Sequence, residues 1–307
     1  MPVSTDAYNC IVVLGPTASG KTRLACELAL NLGGEIISAD SRQVYKHLDI
    51  GTGKDLLEYN IQGKIIPYHL IDICEPSEQF YLHDFMNACE KAFLEIRERN
   101  KLPVICGGTG LYLDSLRKDF SFTQVKENPA LRKTLESFSK QELLKELDKF
   151  PAHLTAHADR DSTKRLVRAM EIASHMQQQP EAFVPAKKIY NPFYIGIDVS
   201  YEERRQRITK RLLQRMDSGL IEETEQLHRS GLSHERLEFL GLEYKFTSLF
   251  IRGIITEEEL FEQLLTAICQ FSKRQMTWFR KMEKEGVKIL WVKRDEPIET
   301  ILKQIPF

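Results

Sequence analysis

The stretch Gly15-Pro16-Thr17-Ala18-Ser19-Gly20-Lys21-Thr22 constrains this chain more than any other. It follows the apolar run Cys10-Ile11-Val12-Val13-Leu14 and precedes a helix-compatible segment at 23–32. Two glycines with four residues between them, followed by Lys and Thr, have the phosphate-loop spacing, and the strand before and helix after make the pattern informative. Such a loop wraps an anion. Glycine takes the unusual dihedrals, backbone N–H groups turn inward, and the helix N-terminus adds positive potential. Lys21 is placed to bridge the outer phosphates and Thr22 to hold Mg2+. The competing reading is that the glycines only make a tight strand-to-helix turn.

The rest of the chain predicts an α/β fold around that loop. At 307 residues it exceeds the usual single-domain size, so a main domain with an insertion is expected. Residues 35–39 read as a second strand delivering Asp40 to the sheet edge where ligands bind in parallel sheets. Asp40-Ser41-Arg42-Gln43-Val44-Tyr45 is then a polar cluster placed for chemistry, with a helix capped by Asp40 or Ser41 as the alternative. Residues 46–63 read as an irregular connection, and 64–72 as a strand whose Pro67 marks an edge or a bend. A helix over 83–99 and a buried strand over 102–106 lead to a second glycine-rich turn, Gly107-Gly108-Thr109-Gly110-Leu111-Tyr112.

From about 120 to 185 strand signals give way to amphipathic helices. One is opened by the capping-box spacing of Ser139 and Glu142; a second starts near Asp161 or Ser162 and runs through Met176. The sheet resumes at 193–199, and a last strand is expected at 287–292. The prediction is a P-loop NTPase-like parallel sheet flanked by helices, with core residues 1–119 and 186–307 and an all-helical insertion over 120–185.

Charge and cysteine usage narrow the partners. The net charge of -1 excludes a bulk positive field, so nucleic acid would have to be met by local basic faces. Arg204, Arg207, Arg211 and Arg215 fall on one face of the helix expected from Tyr201, with no acidic residue between them on that face; an anion would relieve their repulsion. The six cysteines are scattered with no CxxC pair and read as buried thiols of a reducing compartment. Residues 1–9 lack the basic and apolar regions of a secretory signal and no run approaches a membrane span, so a cytoplasmic location without membrane attachment is expected.

Read together, GPTASGKT at 15–22, ISADSRQVYKHLDIGTGK at 37–54, YHLID at 68–72, GGTGLY at 107–112 and KRQMTWFR at 273–280 resemble the tRNA dimethylallyltransferases. The likeness is collinear and spans most of the chain. It implies transfer of a dimethylallyl group from dimethylallyl diphosphate to N6 of the adenosine immediately 3′ to a tRNA anticodon, and a helical insertion in a phosphate-loop core. By this resemblance residues 15–22 cradle the diphosphate with Mg2+, Arg211 adds a cation there, and Asp40 is the general base. It also implies that Asp40, Ser41, Arg42 and Gln43 hold the target base, that Thr109 contacts tRNA, and that Lys164, Arg165, Leu166, Val167 and Arg168 meet the anticodon arm. Lys273, Arg274 and Arg280 either extend that basic path or, with Trp278 in the core, serve the fold.

Two stretches depart from the family pattern. Thr52-Gly53-Lys54-Asp55 lacks the usual Ala and Pro around the Lys, and Gly241-Leu242-Glu243-Tyr244 matches the family's Gly-Tyr element only loosely, so neither receives a role. No Cys/His cluster of the zinc-finger kind is present, which fits a bacterial-type enzyme, and one active site per chain makes a monomer sufficient. The competing functions are an adenylate isopentenyltransferase acting on free nucleotide, a nucleotide kinase, and a phosphate-loop protein that binds nucleotide and RNA without turnover.

Overall fold

The structure is a computed structural model that describes residues 8–156, 158–179 and 188–306. It divides into two compact units, 1–117 with 189–307 and 118–188. The stretch from 180 to 187, where the insertion was expected to end, lies outside the described residues.

The larger unit is built on a six-stranded parallel sheet in the order β5-β2-β6-β1-β7-β8. Its strands are β1 (Cys10–Leu14), β2 (Gly34–Ser38), β5 (Tyr68–His69), β6 (Leu102–Gly107), β7 (Pro192–Asp198) and β8 (Ile289–Lys293). β1 lies at the centre, pairing in parallel with β6 and β7, and every one of its residues is buried. That is why its sequence is a continuous apolar run and does not alternate.

Helices cover both faces. α1 (Lys21–Leu32) packs Leu24, Leu28 and Ala29 on one face, where Ile11, Val13, Ile36 and Ile195 meet them. On the other face, α2 (Leu82–Glu98) and α3 (Gly110–Ser115) bring Phe85, Phe93 and Tyr112 against Val12, Leu14 and Ile105.

The expected strand at 64–72 is divided. Lys64–Ile65, β4, pairs antiparallel with Asn60–Ile61, β3, across Gln62 and Gly63, both at positive φ as a two-residue hairpin turn requires. Only Tyr68–His69 joins the main sheet, at its edge beside β2. Pro67 lies at the break; its carbonyl takes the Ile36 N–H, and having no N–H of its own it cannot continue a ladder on its other side. Residues 41–44 form turns, not a helix, which removes the reading of Asp40 or Ser41 as a helix cap.

The smaller unit contains α4 (Pro129–Leu135), α5 (Lys140–Leu147), α6 (Ala152–Thr155) and α7 (Thr163–Gln178). Ser139 and Glu142 complete a capping box on α5, and Ser162 caps α7. Leu135, Leu143, Leu147, Leu166 and Met170 form its core. Glu171 is buried there. Burial alone would raise its carboxyl, but bonds from Arg132, the Asn128 N–H and Arg168 hold it below the usual range.

The larger unit continues with α8 (Tyr201–Asp217), α9 (Leu220–Arg229), α10 (His234–Leu240), α11 (Leu242–Ile251), α12 (Glu257–Lys284) and α13 (Ile298–Leu302). α12 opens on the Thr256 and Glu259 capping box. Among the described residues no helix is long and apolar enough to cross a membrane.

Candidate active site

At the end of β1 the chain wraps from Gly15 to α1, with Ala18 at φ 60° and Gly20 at φ 90°. The Ser19 N–H reaches the Pro16 carbonyl at 3.2 Å and closes the turn. Gln275 of α12 fastens this loop to the second glycine-rich turn: its Oε1 accepts the Thr17 N–H at 2.8 Å, and its Nε2 donates to the Gly108 carbonyl at 2.9 Å. A Cβ on Gly108 would stand 2.3 Å from that Nε2. KRQMTWFR therefore serves the fold through Gln275 and also through Trp278, whose Nε1 donates to Asp114 at 3.1 Å.

Gln275→Leu should leave two backbone groups unsatisfied and cost about 1–3 kcal/mol. A lower urea midpoint with an unchanged slope is the expected result; an unchanged midpoint would show the staple to be idle.

The arginine face of α8 splits by partner. Arg211 donates to Thr17 Oγ1, and Arg207 Nε donates to the Ala18 carbonyl at 2.6 Å, so both reach the phosphate loop. Arg215 is instead neutralised by Glu243 of α11 at 3.1 Å and donates to the Gly51 carbonyl at 3.3 Å, while Arg204 reaches Ser200 and Ser272. The sequence reading that this face carries no acid is corrected: Glu203, one turn back on the same helix, lies 3.9 Å from Arg207, and α11 supplies Glu243 to Arg215. Burial, and then Arg215, push Arg211 down to about 10; burial, and then Arg294, lower Arg207. Two desolvated cations against a loop built for anions favour a bound anion.

Arg294, just beyond β8, is a third cation that the sequence reading did not assign. Its Nε stands 3.4 Å from where a Cβ on Gly20 would be. The only sequence signal was a basic residue at the end of the last expected strand.

Asp40 lies two residues past β2 and lines one cavity with Lys21, Thr22 and Arg211. Its Oδ1 accepts the Arg42 N–H at 2.9 Å, and the Ser41 N–H donates to Thr109 Oγ1 at 3.1 Å. Gly107 lets the strand ends meet, since a Cβ there would stand 2.2 Å from the Ala39 carbonyl oxygen. Gln43 is held at both ends of its amide, by the Ser38 hydroxyl and the Gly53 carbonyl, each at 3.1 Å. It braces the loop around the site.

The two stretches left without a role both line this site. Lys54 is only 2% exposed and is clamped by Asp49 at 2.7 Å and by Asp72. Glu223 of α9 accepts the N–H groups of Asp49, Ile50 and Gly51 and the hydroxyl of buried Tyr244. These contacts fix Gly51, Thr52, Gly53 and Asp55 at the rim of a cavity of about 1000 Å³. Lys21, Thr22, Asp40, Thr109, Arg211 and Glu243 line it as well.

In the smaller unit, Lys164 and Arg165 are exposed on α7, with Arg165 paired to Asp159 at 2.6 Å. Leu166 is in the core and Val167 packs partly against it. Arg168 is drawn inward to Glu171 at 3.2 Å and to the Val125 carbonyl at 2.5 Å.

Comparisons with known proteins follow the same lines. The sequence profile of the IPP transferase family matches residues 43–282, and that of the isopentenyl transferase family matches 8–64. The chain is 49% identical to tRNA dimethylallyltransferase 2 of Treponema denticola over 94% of its own length and 97% of the relative's. It is similar to the solved structure of a tRNA isopentenylpyrophosphate transferase from Bacillus halodurans, with a TM-score of 0.67 at 30% identity, covering 97% of this chain and 94% of the other. A eukaryotic dimethylallyltransferase acting on tRNA shares the fold with a TM-score of 0.76 at 24% identity, covering 94% of this chain and 75% of that one.

Proposed function

The chain belongs to the tRNA dimethylallyltransferase family, and from that premise we propose that it transfers a dimethylallyl group from dimethylallyl diphosphate to N6 of the adenosine immediately 3′ to a tRNA anticodon, releasing diphosphate. The observation that carries this reading is one cavity holding the phosphate loop with Lys21, Arg211 and a strand-end carboxylate, Asp40. In the reaction the bond between the allylic carbon and the diphosphate oxygen breaks, the bond from N6 to that carbon forms, and one proton leaves N6.

Each half of the reaction has its residues. Lys21 and Arg211 stabilise charge developing on the departing diphosphate, with the N–H groups of residues 15–22 around it. Asp40 accepts a hydrogen bond from the adenine amine and takes its proton as the new bond forms. The amine lone pair is delocalised into the ring, so this acceptor matters.

Thr22 offers one hydroxyl, and among the described residues no group of three His, Cys, Asp or Glu could cage a metal. A cation held mainly by substrate phosphates and water suits such a donor set, and Mg2+ binds in that way. When bound, it would neutralise charge on the diphosphate oxygens.

The target adenosine leaves the anticodon-loop stack to reach the cavity, at modest cost in an already single-stranded loop. Ser41, Arg42 and Thr109 stand at the site, while Lys164 and Arg165 of the smaller unit offer phosphate contacts that position RNA without reading its sequence. Lys164→Ala with Arg165→Ala should lower the slope of log affinity against log salt by about 1–2 and leave the rate at saturating RNA unchanged. An unaltered slope would make that face of α7 a solvated one. All residues invoked come from one chain, so we take the working unit to be a monomer, acting in the cytoplasm.

The acceptor is tested by offering AMP and an unmodified anticodon stem-loop in competition for the same donor. Label in the stem-loop supports the reading. Preferential prenylation of AMP would move the chain to the free-nucleotide reaction.

A further inference from the structure

We infer that Phe239, with Arg42 and Arg236, forms a stacking step for a nucleobase flanking the target adenosine. This rests on the tRNA reading above. Phe239 is the next-to-last residue of α10, is 48% exposed, and lines the cavity. One exposed ring is ordinary by itself; Phe239 is set apart by lining the cavity with guanidinium groups near its ring.

Its surroundings indicate what that is. The Arg236 guanidinium lies 5.0 Å from the Phe239 ring centre and 5.5 Å from that of Tyr45, which is buried. Arg236 Nε donates to the Pro76 carbonyl at 2.6 Å and another of its nitrogens to the Glu78 carbonyl. On the cavity side, the Arg42 guanidinium stands 5.5 Å from the Phe239 ring centre. Tyr45, Arg236, Phe239 and Arg42 thus make a chain of alternating rings and guanidinium groups that starts in the core and ends at the cavity.

Arg42 has no acidic partner among the described residues, and its backbone N–H is held by Asp40, the proposed proton acceptor. Unpaired RNA bases stack on aromatic rings and on guanidinium planes alike, so a base fits against the exposed part of the Phe239 ring beside the Arg42 guanidinium. The free positive charge of Arg42 suits the adjacent phosphate. Because Asp40 claims the target base, the base at Phe239 is a neighbour in the strand.

The test uses the full chain and anticodon stem-loops carrying 2-aminopurine at either position flanking the target. Wild type should quench the fluorophore at one flanking position. Phe239→Ala should abolish that quench and weaken stem-loop binding by roughly tenfold, while Phe239→Tyr restores both. Phe239→Leu keeps the apolar bulk and should behave like Phe239→Ala. Wild-type behaviour of the Leu variant would assign the ring to packing and overturn the inference. An unchanged quench in Phe239→Ala would also overturn it, as would a rise confined to the KM for dimethylallyl diphosphate, which would make Phe239 a wall of the prenyl site. Absence of any prenyl transfer by wild type would instead sink the tRNA reading, so the two failures are distinct.

Discussion

Asp40→Ala should lower the single-turnover rate of prenyl transfer by about 10²-fold or more, with tRNA affinity nearly intact. The size follows from the role: without a proton acceptor, N6 must develop positive charge as it attacks. The neighbourhood makes the test clean, because the Asp40 side chain accepts the Arg42 N–H while the neighbouring Ser41 N–H is held by Thr109. Asp40→Asn preserves the acceptor for Arg42 and should be nearly as slow. A variant that turns over at the wild-type single-turnover rate would remove Asp40 from the chemistry.

Arg211→Ala should lower kcat/KM for the donor by about 10²- to 10³-fold, since on the proposed reading it deletes a preorganised donor from a desolvated site. Wild type carries a pH signature of the same group. Burial has pushed Arg211 down to about 10, so its charge is present below that pH and is lost as pH rises through it. A bound diphosphate favours the charged form and raises the value again, so binding takes up a proton above about pH 10. Donor affinity should therefore be flat through neutral pH and fall beyond that point. Titration calorimetry with inorganic pyrophosphate in buffers of different ionisation enthalpy measures the proton uptake, which should be absent in Arg211→Ala. If the variant keeps the alkaline fall, another group is titrating.

What could be read from the chain was whatever is encoded locally. The phosphate loop, the capping boxes at Ser139 and Thr256, and the spacing of Arg207 and Arg211 all sit within a few residues of one another. The division at Pro67 was signalled by the proline, but the hairpin was not, because its turn uses Gln62 where Asn or Asp is the usual signal.

The remainder of the site depends on partners far apart in sequence. Glu223 reaches Asp49 across 174 residues and Gln275 reaches Thr17 across 258, and no periodicity reports such a pairing. Glu243 and Tyr244 were passed over because their partners, Arg215 and Glu223, lie on other helices. Arg168 shares a face with Lys164 in sequence, yet buried Glu171 draws it inward, which only packing could decide.

The central claim is that the phosphate loop of this chain holds a prenyl diphosphate whose carbon moves and whose phosphates leave. Dimethylallyl diphosphate labelled in the dimethylallyl carbons, incubated with the protein, Mg2+ and an unmodified anticodon stem-loop, tests it directly. The label should appear on N6 of the adenosine 3′ to the anticodon with one diphosphate released per transfer. Unlabelled RNA under these conditions, with phosphoryl transfer from ATP in a parallel reaction, would contradict the account and make the chain a kinase.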